Sequence, residues 1–255
     1  MQQYLDLLNQ RYDKIYVITL QRAHDRQAQI RKELAGLQYE FFYGQDKKEF
    51  TVAELTAAGI YDEALAKKHH RYNKPMPPGM IGCSWSHRLI YEDVVKHRYQ
   101  QVLILEDDVV LDNRNLALLP EVFSELPSDW ELFYFGFALH ETPPANAPLK
   151  KLFYHLARTL GFFKFTHTAI RNLYPTQLSK HIYKAGYHDC THAYALTYSA
   201  AEKLAELQTP ISFFPDHLLA YASTNELVKA YLVLPKLINQ QFQVLEEASA
   251  SYIHG

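Results

Sequence analysis

Residues 100–111 read QQVLILEDDVVL, so three successive carboxylates, Glu106, Asp107 and Asp108, stand between two apolar runs. The first run reads as a buried strand, and its acids begin where its hydrophobic residues stop. In an open parallel sheet, ligands bind at the carboxyl ends of the strands, which puts these acids at the functional edge. Three adjacent carboxylates repel one another and lose hydration there, so their ionised state needs a cation or strong donors. Side-chain alternation sends Glu106 and Asp108 to one face and Asp107 to the other. That acid-x-acid spacing suits Mg²⁺ or Mn²⁺, which prefers one or two protein carboxylates plus phosphate oxygens and so points to a diphosphate ligand. The bland alternative is a solvated strand end or a helix cap, against which the apolar residues on both sides argue.

Outward from this stretch, short apolar strands alternate with amphipathic helices. KIYVITL (14–20) and YEFFYG (39–44) read as strands, and residues 23–36 as a helix stopped by Gly36. TVAELTAAG (51–59) opens with a capping box, Thr51 with Glu54, and Asp62 caps a further short helix. KPMPPGM (74–80) reads as a loop because its prolines lack donors and restrict their neighbours. The long helix from Ile81 follows, then QVLILEDD and WELFYFG as strands. THAYALTY (191–198) alternates like a strand; SAAEKLAEL has a second capping box, Ser199 with Glu202, and Asp216 lies in the first turn of a last helix. Strands separated by helices predict an α/β fold, a mainly parallel central sheet with helices on both faces. The expected organisation is a single catalytic domain over 1–255 with a basic and aromatic insertion at about 142–188.

Composition narrows the classes. A formal charge of −2 gives no global attraction to nucleic acid or anionic membrane, so no nucleic-acid partner is expected and any basic surface is local. Two cysteines make no disulfide framework, which fits a reducing compartment. No apolar run reaches 18 residues, so the expected chain is soluble or peripheral. Between Thr142 and His188 there is no Asp or Glu, whereas lysines, arginines and aromatics cluster. That stretch is either a solvated insertion or a surface for an anionic acceptor or anionic lipid headgroups, with 149–184 its basic part.

The segment GMIGCSWSHRLIYEDVVKHRYQQVLILEDDVVL resembles glycosyltransferase family 25, the lipopolysaccharide and lipooligosaccharide sugar transferases, in its G-x-I-G-C-x-x-S-H, helix and I-L-E-D-D pattern. IYVITLQRAHDRQAQI and THAYALTYSAAEKL are similar to two further family segments, in order, across roughly 14–217. The resemblance implies a GT-A type nucleotide-sugar fold, Mn²⁺ dependence and a UDP-sugar donor, frequently UDP-galactose. It also implies a lipid-linked oligosaccharide acceptor in a bacterium, and so a cytoplasmic enzyme peripheral to the inner face of the inner membrane.

The residues carry roles beside it. Thr19, Leu20, Arg22 and Arg26 follow the first strand, where uridine or ribose would meet the sheet edge, and the two guanidinium forks match diphosphate or surface carboxylates. Gly82 permits close backbone approach at the start of the long helix. Ser86 and His87 lie on that helix, and His87 is either a satisfied core histidine or a substrate contact. Asp107 is grouped with the donor contacts. Asp108 is the first expected metal ligand, Glu106 the next and His192 a late one. An inverting transferase needs a base opposite the leaving group; Asp216 is the first candidate, with an N-cap as its alternative, and Asp189 the second. The expected reaction is hexosyl transfer with inversion, giving a β-linkage, from UDP-galactose, with UDP-glucose or UDP-GlcNAc as alternative donors. A catalytically weak carbohydrate- or nucleotide-binding module and a metal phosphohydrolase are the competing classes.

Overall fold

The computed structural model describes residues 2–241. The first half contains α1 (Gln2–Arg11), β1 (Lys14–Thr19), α2 (His24–Glu33), β2 (Glu40–Tyr43), α3 (Val52–Ala57), α4 (Glu63–His69) and α5 (Pro78–His97). β3 (Gln101–Glu106) and β4 (Val109–Leu111) follow, then a 3-10 turn, α6 (Leu119–Glu125) and β5 (Leu132–Ala138). The basic region supplies α7 (Ala147–Thr159), α8 (His167–Arg171), β6 (Thr176–Gln177) and β7 (Ile182–Lys184). β8 (Asp189–Thr197), α9 (Tyr198–Leu207), α10 (Pro215–Thr224), β9 (Ala230–Val233) and β10 (Ile238–Gln240) complete the described chain.

The central sheet runs β2-β1-β3-β8-β5-β9-β7-β6, and β10 pairs with β4 apart from it. β1 is parallel to β2 and β3, and β5 to β9, whereas β8 is antiparallel to both β3 and β5. β7 is antiparallel to β9 and β6. Tracing these directions, β8 and β7 alone among the sheet's strands run against the rest, so the mainly parallel expectation holds. Alternation within the buried strands builds a core on each face. Ile15, Val17, Leu103 and Leu105 pack with Leu8 of α1, Ile30 of α2 and Leu119 of α6. Tyr16, Val102 and Ile104 pack with Tyr91 of α5, Leu204 of α9 and Leu218 of α10. Each such fully buried side chain is worth roughly 1.5–3 kcal/mol, which holds the ends of the parallel strands in register.

The Thr51–Glu54 capping box forms both of its bonds, and the Asp62 carboxylate accepts from the Leu65 N–H. Two local expectations need correction. The KPMPPGM segment is not all loop: Pro77 is the N-cap of α5 and Pro78 its first residue, where a missing N–H costs nothing. Thr197, not Ser199, caps α9; its hydroxyl accepts from the Ala200 N–H while Ser199 Oγ donates to Glu131. The 142–188 stretch joins the sheet through β6 and β7, and α7 and α8 stand before them.

Candidate functional site

The carboxyl ends of the adjacent strands β2, β1 and β3, with the first turns of α5, frame a cleft of about 780 Å³ including its open mouth. Thr19, Leu20, Arg26, Ser86, His87, Glu106, Asp107 and Asp108 all line it, so eight residues singled out in four sequence segments meet in one place.

The acids are arranged differently from strict alternation. β3 ends at Glu106 and the chain turns at Asp107–Asp108 before β4, so the pleat does not carry on through the triplet. Arg26 of α2 bridges the last two: its Nε lies 3.0 Å from Asp107 Oδ1 and its Nη2 2.7 Å from Asp108 Oδ2. Asp107 also accepts from the Thr19 hydroxyl at 2.6 Å, and Asp108 from Gln240 Nε2 at 3.0 Å. Asp107 therefore pairs with Asp108 on one guanidinium rather than facing away. Glu106 stands apart and accepts from Thr191 Oγ1 at 2.6 Å. Burial, then the negative charge of Asp108, pushes the Glu106 carboxyl up to about 8. Burial also raises Asp107, against the lowering effect of Arg26 and Thr19.

Around the acids, His87 is buried with Nδ1 2.7 Å from the Tyr194 hydroxyl, which itself meets the Tyr91 hydroxyl at 3.0 Å. Its Nε2 is 3.8 Å from Glu106 Oε1. Burial lowers His87 to about 3, so the ring is neutral at physiological pH. Ser86 is a clamp: its Oγ accepts from the Gln45 N–H at 2.8 Å and donates to the Gly82 carbonyl at 2.7 Å. Gly82 does not line the cleft. A Cβ there would meet the Gln45 carbonyl oxygen at 2.4 Å, so the close approach it permits is between α5 and the 44–47 loop. Arg22 forms an ion pair with Asp46; burial would raise that carboxyl, but the Arg22 hydrogen bond and the Lys48 N–H outweigh it and hold it low.

The two base candidates are neighbours. Ligand atoms of Asp189, Asp216 and His217 lie within 4.8 Å of one another. Asp216 is not an N-cap: Phe214 holds that position, and the Asp216 carboxylate accepts from the N–H groups of His217 at 2.9 Å and Cys190 at 3.3 Å. Burial and then the charge of Asp216 raise Asp189. Burial first, and then the charges of Glu106, Asp216, Asp108 and Asp107, push the Cys83 thiol well above its usual range, so both acid groups lie within electrostatic reach of it. His192 is fully buried; its Nε2 faces the Ile238 carbonyl at 3.4 Å and its Nδ1 has no hydrogen-bond partner among the described residues. The His217 ring, rather than that of His192, converges with acids here. Gln45, Asp46, Lys47 and Gln240 also line the cleft and were not singled out from sequence, although the rule used for Glu106 applies equally to the YGQDK stretch following β2.

A family model described as Glycosyltransferase family 25 (LPS biosynthesis protein) matches residues 12–219. The chain belongs to glycosyltransferase family 25. A Glycosyltransferase 25 family member of Anopheles gambiae is 33% identical over 129 residues, 48% of this chain and 21% of that protein. Procollagen galactosyltransferase 2 of Mus musculus is 30% identical over 131 residues, 49% of this chain and 21% of that protein. The match thus spans about a fifth of these relatives' length. Among solved structures, apo mouse xyloside xylosyltransferase 1 overlaps 90% of this chain and 71% of its own, with 13% identity and a TM-score of 0.34.

Proposed function

We propose that the chain transfers a hexose, galactose first, from a UDP-sugar to a hydroxyl of a growing lipid-linked oligosaccharide, with inversion. The observation that carries this reading is the Glu106–Asp108 turn in a cleft at the carboxyl ends of three parallel strands. Galactose is favoured by relatives named procollagen galactosyltransferase, and the lipid-linked acceptor by the family's description as an LPS biosynthesis protein.

The acid turn fits a divalent cation. Its carboxylates are hard oxygen donors, and burial holds the Glu106 proton up to about 8, the sign of a carboxyl short of positive charge. Asp108 would hold the ion first and Glu106 next, and a bound Mn²⁺ or Mg²⁺ would stabilise the charge developing on the departing diphosphate. The chain's own groups do the rest. Thr19 and Leu20 offer a sheet edge to the nucleoside. Arg26 can exchange an acid for a diphosphate oxygen, since both match its fork. Asp216, oriented by two backbone N–H groups, is the base for the acceptor hydroxyl. Asp189 beside it, with its raised pKa, is the second group that can hold the proton.

A donor panel of UDP-galactose, UDP-glucose, UDP-GlcNAc and UDP-GalNAc, with and without Mn²⁺, tests this by UDP release in the presence of galactoside, glucoside and GlcNAc acceptors. Acceptor-dependent release supports transfer. UDP binding without turnover marks a binding module, and phosphate release without an acceptor a phosphohydrolase. A second reading, transfer to a hydroxyl on a protein, follows from the relatives' names and predicts turnover on a collagen-like hydroxylated peptide.

A further inference from the structure

Most amphipathic helices turn their apolar stripe to the core. α7 does the reverse. Leu149, Leu152, Phe153, Leu156 and Leu160 recur at i, i+3, i+4, i+7 and i+11 on one face, and all are 58–69% exposed. Phe162, just beyond, is 83% exposed. The opposite side of the helix is what binds the body: Tyr154 stacks on Phe163 with ring centroids 4.7 Å apart and packs against Ala147, Leu173 and Tyr174. Lys151 Nζ donates to the Arg171 carbonyl at 2.6 Å and Arg158 to the Phe163 carbonyl at 3.4 Å. Lys164, in the following loop, donates to the carbonyls of Lys68 and His70 and to Asn73 Oδ1. These cations end on neutral oxygens, and among the described residues no carboxylate pairs with them. Lys150 is exposed beside the stripe, and the sequence from 142 to 188 contains no acid. Among the described residues no helix is long and apolar enough to cross a membrane.

We propose that the outward face of α7, with Phe162, docks on the surface of an anionic lipid bilayer. Leucines and phenylalanines on one face of a helix, with exposed Lys150 beside them and exposed Arg158 and Lys164 in the same acid-free stretch, supply the two attractions an interfacial helix uses, apolar insertion and charge. A second copy of the chain is a poorer occupant because it would set the same positive region against itself. The test is co-sedimentation of the full chain with phosphatidylcholine vesicles that contain or lack phosphatidylglycerol. The expected result is binding that requires phosphatidylglycerol and weakens with added salt. It weakens at least about tenfold in the Leu152→Glu/Phe153→Glu/Leu156→Glu variant, and to a lesser degree in Lys150→Glu. All four side chains are solvent-exposed, so both variants keep the wild-type melting temperature and circular dichroism. Three results overturn the proposal: no vesicle binding by the wild type, equal binding by the triple variant, or equal binding to pure phosphatidylcholine. Concentration-dependent dimerisation of the lipid-free chain, abolished by the same triple substitution, also overturns it.

Discussion

Replacing Arg26 with Met keeps the length of the side chain and removes the cation that bridges Asp107 and Asp108. The two carboxylates are 9% and 11% exposed, and the guanidinium lies 3.0 and 2.7 Å from them. A pair at about 4 Å is worth about 4 kcal/mol at an effective dielectric of 20, before the desolvation of both ions is subtracted. Breaking one partner of a buried pair costs about 3–5 kcal/mol because the other charge is left uncompensated. Thr19 and Gln240 still donate to the acids and the cleft opens to solvent, so the expected loss is about 2–3 kcal/mol. Urea unfolding at pH 7 in the presence of EDTA reads it. Two companion measurements separate the cause from general damage. Arg26→Met in an Asp107→Asn/Asp108→Asn background should cost less than about 1 kcal/mol, and Mn²⁺ should raise the melting temperature of Arg26→Met more than that of the wild type. A loss that persists undiminished in the Asn background would refute the reasoning.

Gly82→Ala should destabilise by about 1–3 kcal/mol, because its Cβ would sit 2.4 Å from the backbone oxygen of Gln45 and one of two main-chain segments has to move. The same shift disturbs the cleft-lining 44–47 loop, so thermal melts and donor KM should change together; a variant as stable as the wild type contradicts the packing role. His188 supplies a pH prediction. Its Nε2 accepts from the Gly186 N–H at 2.9 Å, and burial lowers its pKa to about 4. The folded pKa is below the unfolded value near 6.5, so the stabilisation is complete above about pH 6.5 and is lost as the pH falls toward 4. At pH 5 the loss is at most about 2 kcal/mol. Urea unfolding from pH 7 to 5 should show a shallower slope in His188→Gln, and identical slopes would count against a neutral buried ring.

Strands β1, β2, β3, β5 and β8, the direction of most of the sheet and the location of the cleft were legible in the sequence because each rests on local patterning, whereas the short β4, β6, β7, β9 and β10 were not read from it. Ile15, Val17, Leu103 and Leu105 show the period of a strand before any partner is known, and Thr51, Glu54 and Asp62 are local caps. What was not legible depends on contacts distant in sequence. The insertion of the antiparallel β8 between β3 and β5 is a tertiary choice, as is the arrival of Gln240 at Asp108 through the β10–β4 pair. Alternation placed Asp107 on the wrong side because it was carried one residue past the end of β3, into a turn whose geometry Arg26 of α2 helps to fix. Asp216 and Asp189 were named as rivals for one role, and only the fold shows them side by side. The helical spacing of the apolar residues in α7 gives no hint that this face points away from the body, since periodicity identifies a face and not what it meets.

The central claim is that the turn after β3 is where a divalent cation and a UDP-sugar are held. Acceptor-dependent UDP release from UDP-galactose, measured for the wild type and for Asp108→Ala with Mn²⁺ and with EDTA, tests it most directly. The account predicts activity that EDTA abolishes and Mn²⁺ restores, and a fall of about 10²–10³-fold in Asp108→Ala assayed at a temperature where the variant remains folded. An Asp108→Ala protein that turns over UDP-galactose at the wild-type rate would contradict it.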